Sequence, residues 1–286
     1  MAQKTWKSKA LRPETGAGMQ YHIRCKRGDV ARYVLLPGDP ERVPLIAALW
    51  DRSRKAGSHR EHVTYTGAFR GIGISACSTG VGGPSTVCAV EELAAIGADT
   101  FIRVGTCAAL QKEIQCGDLI IHSGALRRDG SSLDYVDLSY PALASYEVTL
   151  ALIEAAERVK ARYYVGISAS TASFYAGQAR PGFRGYLQSF TDNMIADLER
   201  ANVVSFEQEA ATIFVLSSLY GLRAGSVCAV FANRLTNVFE TKGVELCAKV
   251  ATQAVEILAG WDRAKKERRR KWWFPSLTST RPPAPR

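Results

Sequence analysis

The chain has 286 residues, of which 47% are apolar and 9% aromatic, and its formal net charge is +10. This length and apolar content allow one sizeable core and exclude a compositionally disordered chain. No run approaches the ~20 apolar residues of a membrane helix, and the basic, polar stretch Met1 to Pro13 does not read as a cleaved secretory signal.

The charge is unevenly placed. The first 32 residues carry +6 and the last 24 carry +8, which leaves the body, 33–262, at −4. A mildly acidic body argues against a basic face for nucleic acid. Cys25, Cys77, Cys88, Cys107, Cys116, Cys228 and Cys247 are odd in number and form no Cys-x-x-Cys pair. Most lie in apolar runs, so they read as small buried hydrophobes in a reducing compartment, the cytoplasm. His22, His59, His62 and His122 lack the spacing of a zinc site.

Taken in chain order, residues 1–30 show little periodicity and read as an N-terminal arm. Tyr33-Val34-Leu35-Leu36 is an apolar strand closed by Pro37-Gly38-Asp39-Pro40, and a helix begins over Pro44 to Trp50. Ile72 to Cys77 is a second buried strand, followed by the loop Thr79-Gly80-Val81-Gly82-Gly83-Pro84-Ser85 and a helix over Thr86 to Ile96. Phe101 to Val104 and Asp118 to His122 are further strands. Tyr146 to Val159 is helical, Tyr163 to Ile167 a strand, and Val203 to Leu222 a strand, turn and helix. Ala224 to Phe231 is the last strand and Val244 to Gly260 a long amphipathic helix. This alternation predicts a single α/β domain over 31–262, with a twisted, mixed, mainly parallel sheet flanked by helices. Residues 263–286 form a basic tail. Its cations suit a helix C-terminus, with Trp272 to Phe274 packed back on the body; the other readings are an import signal or an anchor to an acidic surface. Pro282-Pro283-Ala284-Pro285 cannot be helical.

Two glycine-rich loops follow apolar strands, Gly38 to Arg42 and Thr79 to Ser85, and neither matches a Walker loop or a dinucleotide fingerprint. Arg103, inside an apolar strand and just before Gly105-Thr106, needs an anion or an internal acid such as Asp39. With Gly38, Arg42 and Thr106 it could cradle a phosphate at the strand ends, where open α/β sheets bind ligands. Glu207-Gln208-Glu209 opens a helix. Those acids either cap it or accept hydrogen bonds from sugar hydroxyls.

Gly38-Asp39-Pro40-Glu41-Arg42, Ser58-His59-Arg60-Glu61, Ser78 to Ser85 and Arg103-Val104-Gly105-Thr106 together resemble the hexameric-type nucleoside phosphorylase family, in order, from about His22 to Leu258. Ser173-Phe174-Tyr175-Ala176-Gly177-Gln178-Ala179-Arg180 and Asn233-Arg234 resemble its uridine branch. The resemblance implies reversible phosphorolysis of uridine to uracil and ribose 1-phosphate, with deoxyuridine or thymidine as further substrates. Inorganic phosphate is the co-substrate, and no redox cofactor or covalent enzyme intermediate is needed. Gly38, Arg42, Arg103 and Thr106 are expected to hold phosphate, with Arg60 reaching in from a neighbouring subunit. Glu209 is expected to bind the ribose hydroxyls with Gln208 and Glu207 beside it, and the neighbour's His22 to meet the 5′-hydroxyl. Phe174 stacks on the base, while Gln178 and Arg180, backed by Arg234, bind its O2, N3 and O4 edge. Glu61, Val81 and Ser85 match a site where related enzymes hold a potassium ion between subunits.

A shared site implies a homo-oligomer, either a dimer or a ring of dimers. Two departures bear on the substrate: Gln208 stands where the family usually has Met, and Cys107-Ala108 where Thr or Ser and Gly are common. The other readings are a purine nucleoside phosphorylase or nucleosidase of the same fold, a catalytically weakened nucleoside-binding paralogue, and nucleic-acid binding through the basic ends.

Overall fold

In the computed structural model, residues 10–11, 13–14 and 18–278 are described. The first strand, β1 (Tyr33–Leu36), is apolar at every position because both of its faces are covered. Tyr33 and Leu35 join one core cluster and Val34 and Leu36 the other, as the two-residue period of a strand requires. After β1 come α1 (Arg42–Ala47), the hairpin β2 (Arg52–His59) and β3 (His62–Phe69), β4 (Ile72–Cys77), α2 (Gly83–Ala95) and the long β5 (Thr100–Ala109). The next elements are β6 (Leu119–Arg128), β7 (Ala142–Leu143), α3 (Tyr146–Arg158), β8 (Tyr163–Thr171), α4 (Met194–Arg200), β9 (Val203–Glu207) and α5 (Ala210–Leu219). The last are β10 (Arg223–Asn233), β11 (Val238–Phe239), α6 (Val244–Glu267) and the short α7 (Pro275–Thr278).

These elements make one mixed sheet flanked by helices, as the strand–helix alternation predicts. Strands β4, β1, β5 and β10 run parallel, while β2, β3 and β11 add antiparallel margins. Strand β5 pairs with β10 and, beyond the end of β1, with β9, so that β5, β10, β6, β8 and β9 close into a ring. Helices α1, α3 and α6 cover one face, and α2 and α5 the other. All eight residues from Ala210 to Ser217 of α5 are buried, which explains its apolar character all round.

The segment before β1 is no loose arm in its described part. Ile23 and Cys25 are fully buried, and the backbone N–H groups of His22 and Ile23 donate to the Glu92 carboxylate on α2. Most of the residues before 18, and the proline-rich end after 278, lie outside the described residues.

At the other end α6 continues into the basic stretch, and Trp273 stacks on Trp261 with centroids 3.8 Å apart. Trp272 and Phe274 are exposed, so only the central aromatic of the three packs back. An ionic cluster fixes this end: Arg223 and Lys265 both reach Glu147 and Asp262, and the Tyr33 hydroxyl donates to Asp262 at 2.6 Å. Burial alone would raise the Asp262 carboxyl, but its bonds to Arg223 and Tyr33 hold it well below the usual carboxylate range. A depressed acid stabilises the fold above its unfolded pKa of about 4, and that contribution fades as pH falls below it. Asp262→Asn is therefore expected to destabilise the protein by about 3 kcal/mol at neutral pH, with the deficit shrinking below about pH 4. Urea unfolding at several pH values tests this, and a deficit independent of pH would contradict it.

Candidate active site

A cavity of about 670 Å³ opens at the C-terminal ends of β1, β5 and β9. Gly38 and Arg42 line it from the loop after β1 and the first turn of α1. The register Leu36 to Arg103 between β1 and β5 sets Arg103 beside that loop. Arg103 is only 4% exposed, and its strand runs on six residues past it to Ala109, so it sits mid-strand. Gly105 makes room for it, since a Cβ there would lie 2.7 Å from the guanidinium carbon. Thr106, Cys107 and Ala108 continue the wall.

The acids that meet Arg103 come from the end of β9 and not from Asp39, which instead lies 3.6 Å from Arg42 Nε. Arg103 Nη2 is 2.5 Å from Glu209 Oε2, and its Nε is 3.0 Å from Glu207 Oε2, though the Nε–H does not point along that line. Glu207 is fully committed. One oxygen accepts from the Ser168 and Ser170 hydroxyls, and the other from the N–H groups of Glu209 and Ala210 at 2.8 Å each. It therefore caps α5. Burial would raise the Glu207 carboxyl, yet Arg103, His122 and these donors hold it below its ordinary value.

Glu209, the residue before α5, accepts the Gly82 N–H at 2.7 Å and stays above its ordinary value because burial outweighs its attraction to Arg103. Gly82 adopts φ +84°, a left-handed conformation that favours glycine and aims that N–H at the carboxylate. Gln208, between the two acids, lines the cavity half-buried. Beneath them His122 bridges the Ser226 and Ser205 hydroxyls at 2.8 and 2.9 Å, a buried hydrogen-bonded group linking β6, β9 and β10.

A second group of polar residues follows β8. Gln178 is 3% exposed and donates to the Thr171 hydroxyl at 3.1 Å. Arg180 donates to Gln178 Oε1 and to the Phe174 carbonyl, and its guanidinium carbon lies 4.0 Å from the centroid of the Phe174 ring. Arg234 donates to the carbonyls of Gln178 (2.5 Å) and Ala179 (3.2 Å), and so holds the turn in which Ala179 takes φ +50°. Asn233 braces the far side of that arginine. Its amide donates to the carbonyls of Gln111 and Ile114, and its oxygen accepts from Leu235 and Thr236. Burial and the neighbouring Arg234 bring Arg180 down to about 10, and burial alone lowers Arg234. Among the described residues neither arginine forms a salt bridge with an acid, so this part of the cavity carries uncompensated positive charge.

His22 and Arg60 are not brought to this cavity. His22 Nδ1 lies 2.7 Å from Glu92 on α2, and Arg60, at the tip of the β2–β3 hairpin, lies over the Tyr21 ring. Glu61 and Val81 do line the cavity, and Glu61 accepts from the Ser85 hydroxyl at 2.8 Å. Among the described residues no three His, Cys, Asp or Glu side chains are grouped to hold a metal ion. Phe206, Phe231, Asn237, Val238 and Phe239 also line the wall without having been singled out from the sequence. Phe206 and Phe231 stand beside quoted motifs, but a lone aromatic in an apolar strand carries no signal of which face it takes.

The cavity thus joins an arginine held by two carboxylates, an unpaired amide, and an aromatic–amide–arginine group with surplus positive charge. Such an arrangement suits a ligand with an anion, a hydroxylated centre and a planar, electron-accepting end.

A family model for the phosphorylase superfamily matches residues 32–260. The chain is 59% identical to a uridine phosphorylase of Thermococcus kodakarensis over 94% of this chain and 97% of that protein. It is 39% identical to a uridine phosphorylase of Escherichia coli over 83% and 94%, and 37% identical to a guanosine phosphorylase of Halorubrum lacusprofundi over 75% and 83%. Among the described residues no helix is long and apolar enough to cross a membrane.

Proposed function

The chain belongs to the phosphorylase superfamily, and we propose that it is a uridine phosphorylase, a pentosyltransferase that cleaves uridine reversibly with inorganic phosphate. One observation carries the choice of base: Gln178 and Arg180, hydrogen-bonded to each other beside the Phe174 ring, face the cavity, and among the described residues no acid neutralises Arg180 or Arg234. Uracil presents an acceptor, a donor and an acceptor along O2, N3 and O4. A carboxamide with a guanidinium complements that edge.

In the forward reaction a phosphate oxygen attacks C1′, the C1′–N1 bond breaks, and its electron pair stays on uracil. Positive charge builds on the sugar while negative charge builds on the base. Gly38, Arg42, Arg103 and Thr106 are assigned to the phosphate and to positioning the nucleophile. Gln178 and Arg180 meet the developing charge on the base, and Arg234 acts as a positioning residue through the 178–179 carbonyls. Glu209 takes the ribose hydroxyls. Glu207 sits behind it, fixing Arg103 and the start of α5.

His22 and Arg60, outside the cavity of their own chain, act in that of a neighbouring copy, which makes the protein a homo-oligomer. Glu61, Val81 and Ser85 are the candidates for a potassium ion between copies. The catalytic domain is taken as 31–262, and free cysteines, most of them buried, support a cytoplasmic location.

The guanosine phosphorylase among the relatives gives the purine reading its own footing. Both are tested by incubating the protein with uridine, guanosine or inosine, with and without phosphate, and measuring free base and ribose 1-phosphate. Phosphate-dependent release of uracil is expected. Turnover of a purine nucleoside alone would overturn the assignment of Gln178 and Arg180.

A further inference from the structure

Three polar side chains stand in a row where β9 meets α5. Glu207 has both oxygens bound within the protein. Glu209 shares its oxygens with the Gly82 N–H and with Arg103. Gln208 lines the cavity half-buried, and its carboxamide makes no hydrogen bond to any described residue. In the open cavity water can pair with that carboxamide, and once a bound ligand excludes the water, a ligand hydroxyl must take its place or the amide is left unpaired at a cost.

The place of that hydroxyl follows from the reaction, so this inference rests on the nucleoside reading. Phosphate must reach C1′ on the face opposite the base, and in a ribonucleoside the 2′- and 3′-hydroxyls lie on that same face. The residues next to Arg103 therefore border the hydroxyls. A carboxylate such as Glu209 only accepts hydrogen bonds, and its oxygens are already shared. The carboxamide of Gln208 both donates and accepts.

We propose that Gln208 is the sugar-specificity residue of this chain: its carboxamide pairs with the 2′-hydroxyl, so that 2′-deoxynucleosides leave it unpaired and are poor substrates. A site built to bond a hydroxyl discriminates against the analogue that lacks it, because the buried partner then goes unsatisfied.

The test compares kcat/KM for uridine and 2′-deoxyuridine in the wild type and in Gln208→Met, a side chain of similar length without hydrogen-bonding capacity. The wild type is expected to prefer uridine by roughly 30-fold, and the variant by no more than about 3-fold, with the KM for phosphate unchanged. Gln208→Asn, too short to reach, is expected to show the same loss, and melting temperatures of both variants check that they fold. If uridine is not a substrate, the same comparison with guanosine and 2′-deoxyguanosine applies, so failure of the base assignment stays separate. Calorimetric binding of ribose 1-phosphate against 2-deoxyribose 1-phosphate gives a further ratio that no base can influence. A ratio that is the same, within twofold, in wild type and Gln208→Met would overturn the proposal.

Discussion

Arg103→Met is expected to lower kcat/KM for phosphate at least about 1000-fold. The side chain is 4% exposed, and it is the deepest cation of the proposed phosphate cradle. Glu209 and Glu207 hold it at 2.5 and 3.0 Å, so its position is fixed before any ligand arrives. Removing it also leaves two buried acids without their common cation, and breaking a buried pair in this way costs about 3–5 kcal/mol. In the variant both carboxyls are pushed upward by burial. An acid with a raised folded-state pKa loses stability as pH rises above its unfolded value of about 4, so the deficit should grow from mildly acidic to neutral pH. Arg103→Met/Glu209→Gln removes one of the stranded charges. That double variant is expected to recover much of the stability while staying less active than Glu209→Gln alone, and this comparison separates the catalytic loss at Arg103 from lost folding. Phosphorolysis within tenfold of wild type in Arg103→Met would contradict the phosphate assignment.

Arg180→Met is expected to behave in the opposite way, with catalysis falling about 100- to 1000-fold on uridine and stability hardly changing. Arg180 forms no salt bridge among the described residues, and burial together with repulsion from Arg234 close by lowers its pKa to about 10. Its loss relieves that repulsion in the resting protein. During reaction the same surplus charge meets the anion forming on uracil, so the effect should appear mainly in kcat, with the KM for phosphate unchanged within a few-fold. Urea unfolding and steady-state kinetics on the same preparation check both halves. A kcat within fivefold of wild type would remove Arg180 from the reaction.

Much of the site was legible because its residues fall in short motifs next to apolar strands. Gly38, Arg42, Arg103, Thr106, Gln178, Arg180 and Glu209 all reach one cavity although they span more than half the chain. Three features were less legible. The hairpin of β2 and β3 carries few apolar residues in its exposed first strand, so no alternating pattern marks it. For Arg103 the local sequence offers a bound anion or an internal acid such as the nearby Asp39, whereas the structure supplies Glu207 and Glu209, more than a hundred residues away. In the stretch Trp272 to Phe274, composition suggested three packed aromatics. Only Trp273 finds a stacking surface, that of Trp261.

The sequence by itself determined the class of the fold and the chemistry on offer. Apolar strands alternating with helices can bury both faces of a sheet only in an α/β arrangement, and glycine-rich strand ends leave backbone and arginine open to an anion. Tertiary structure decided which of those groups act on each other. The pairing of β5 with β9 brings the start of α5 against Arg103, and that closure depends on strand register and direction. Period-two patterns are the same for parallel and antiparallel neighbours, so no local stretch of sequence encodes the pairing. The same closure commits Glu207 to α5 and leaves Gln208 unpaired in the cavity, a difference between adjacent residues that only the folded chain can make.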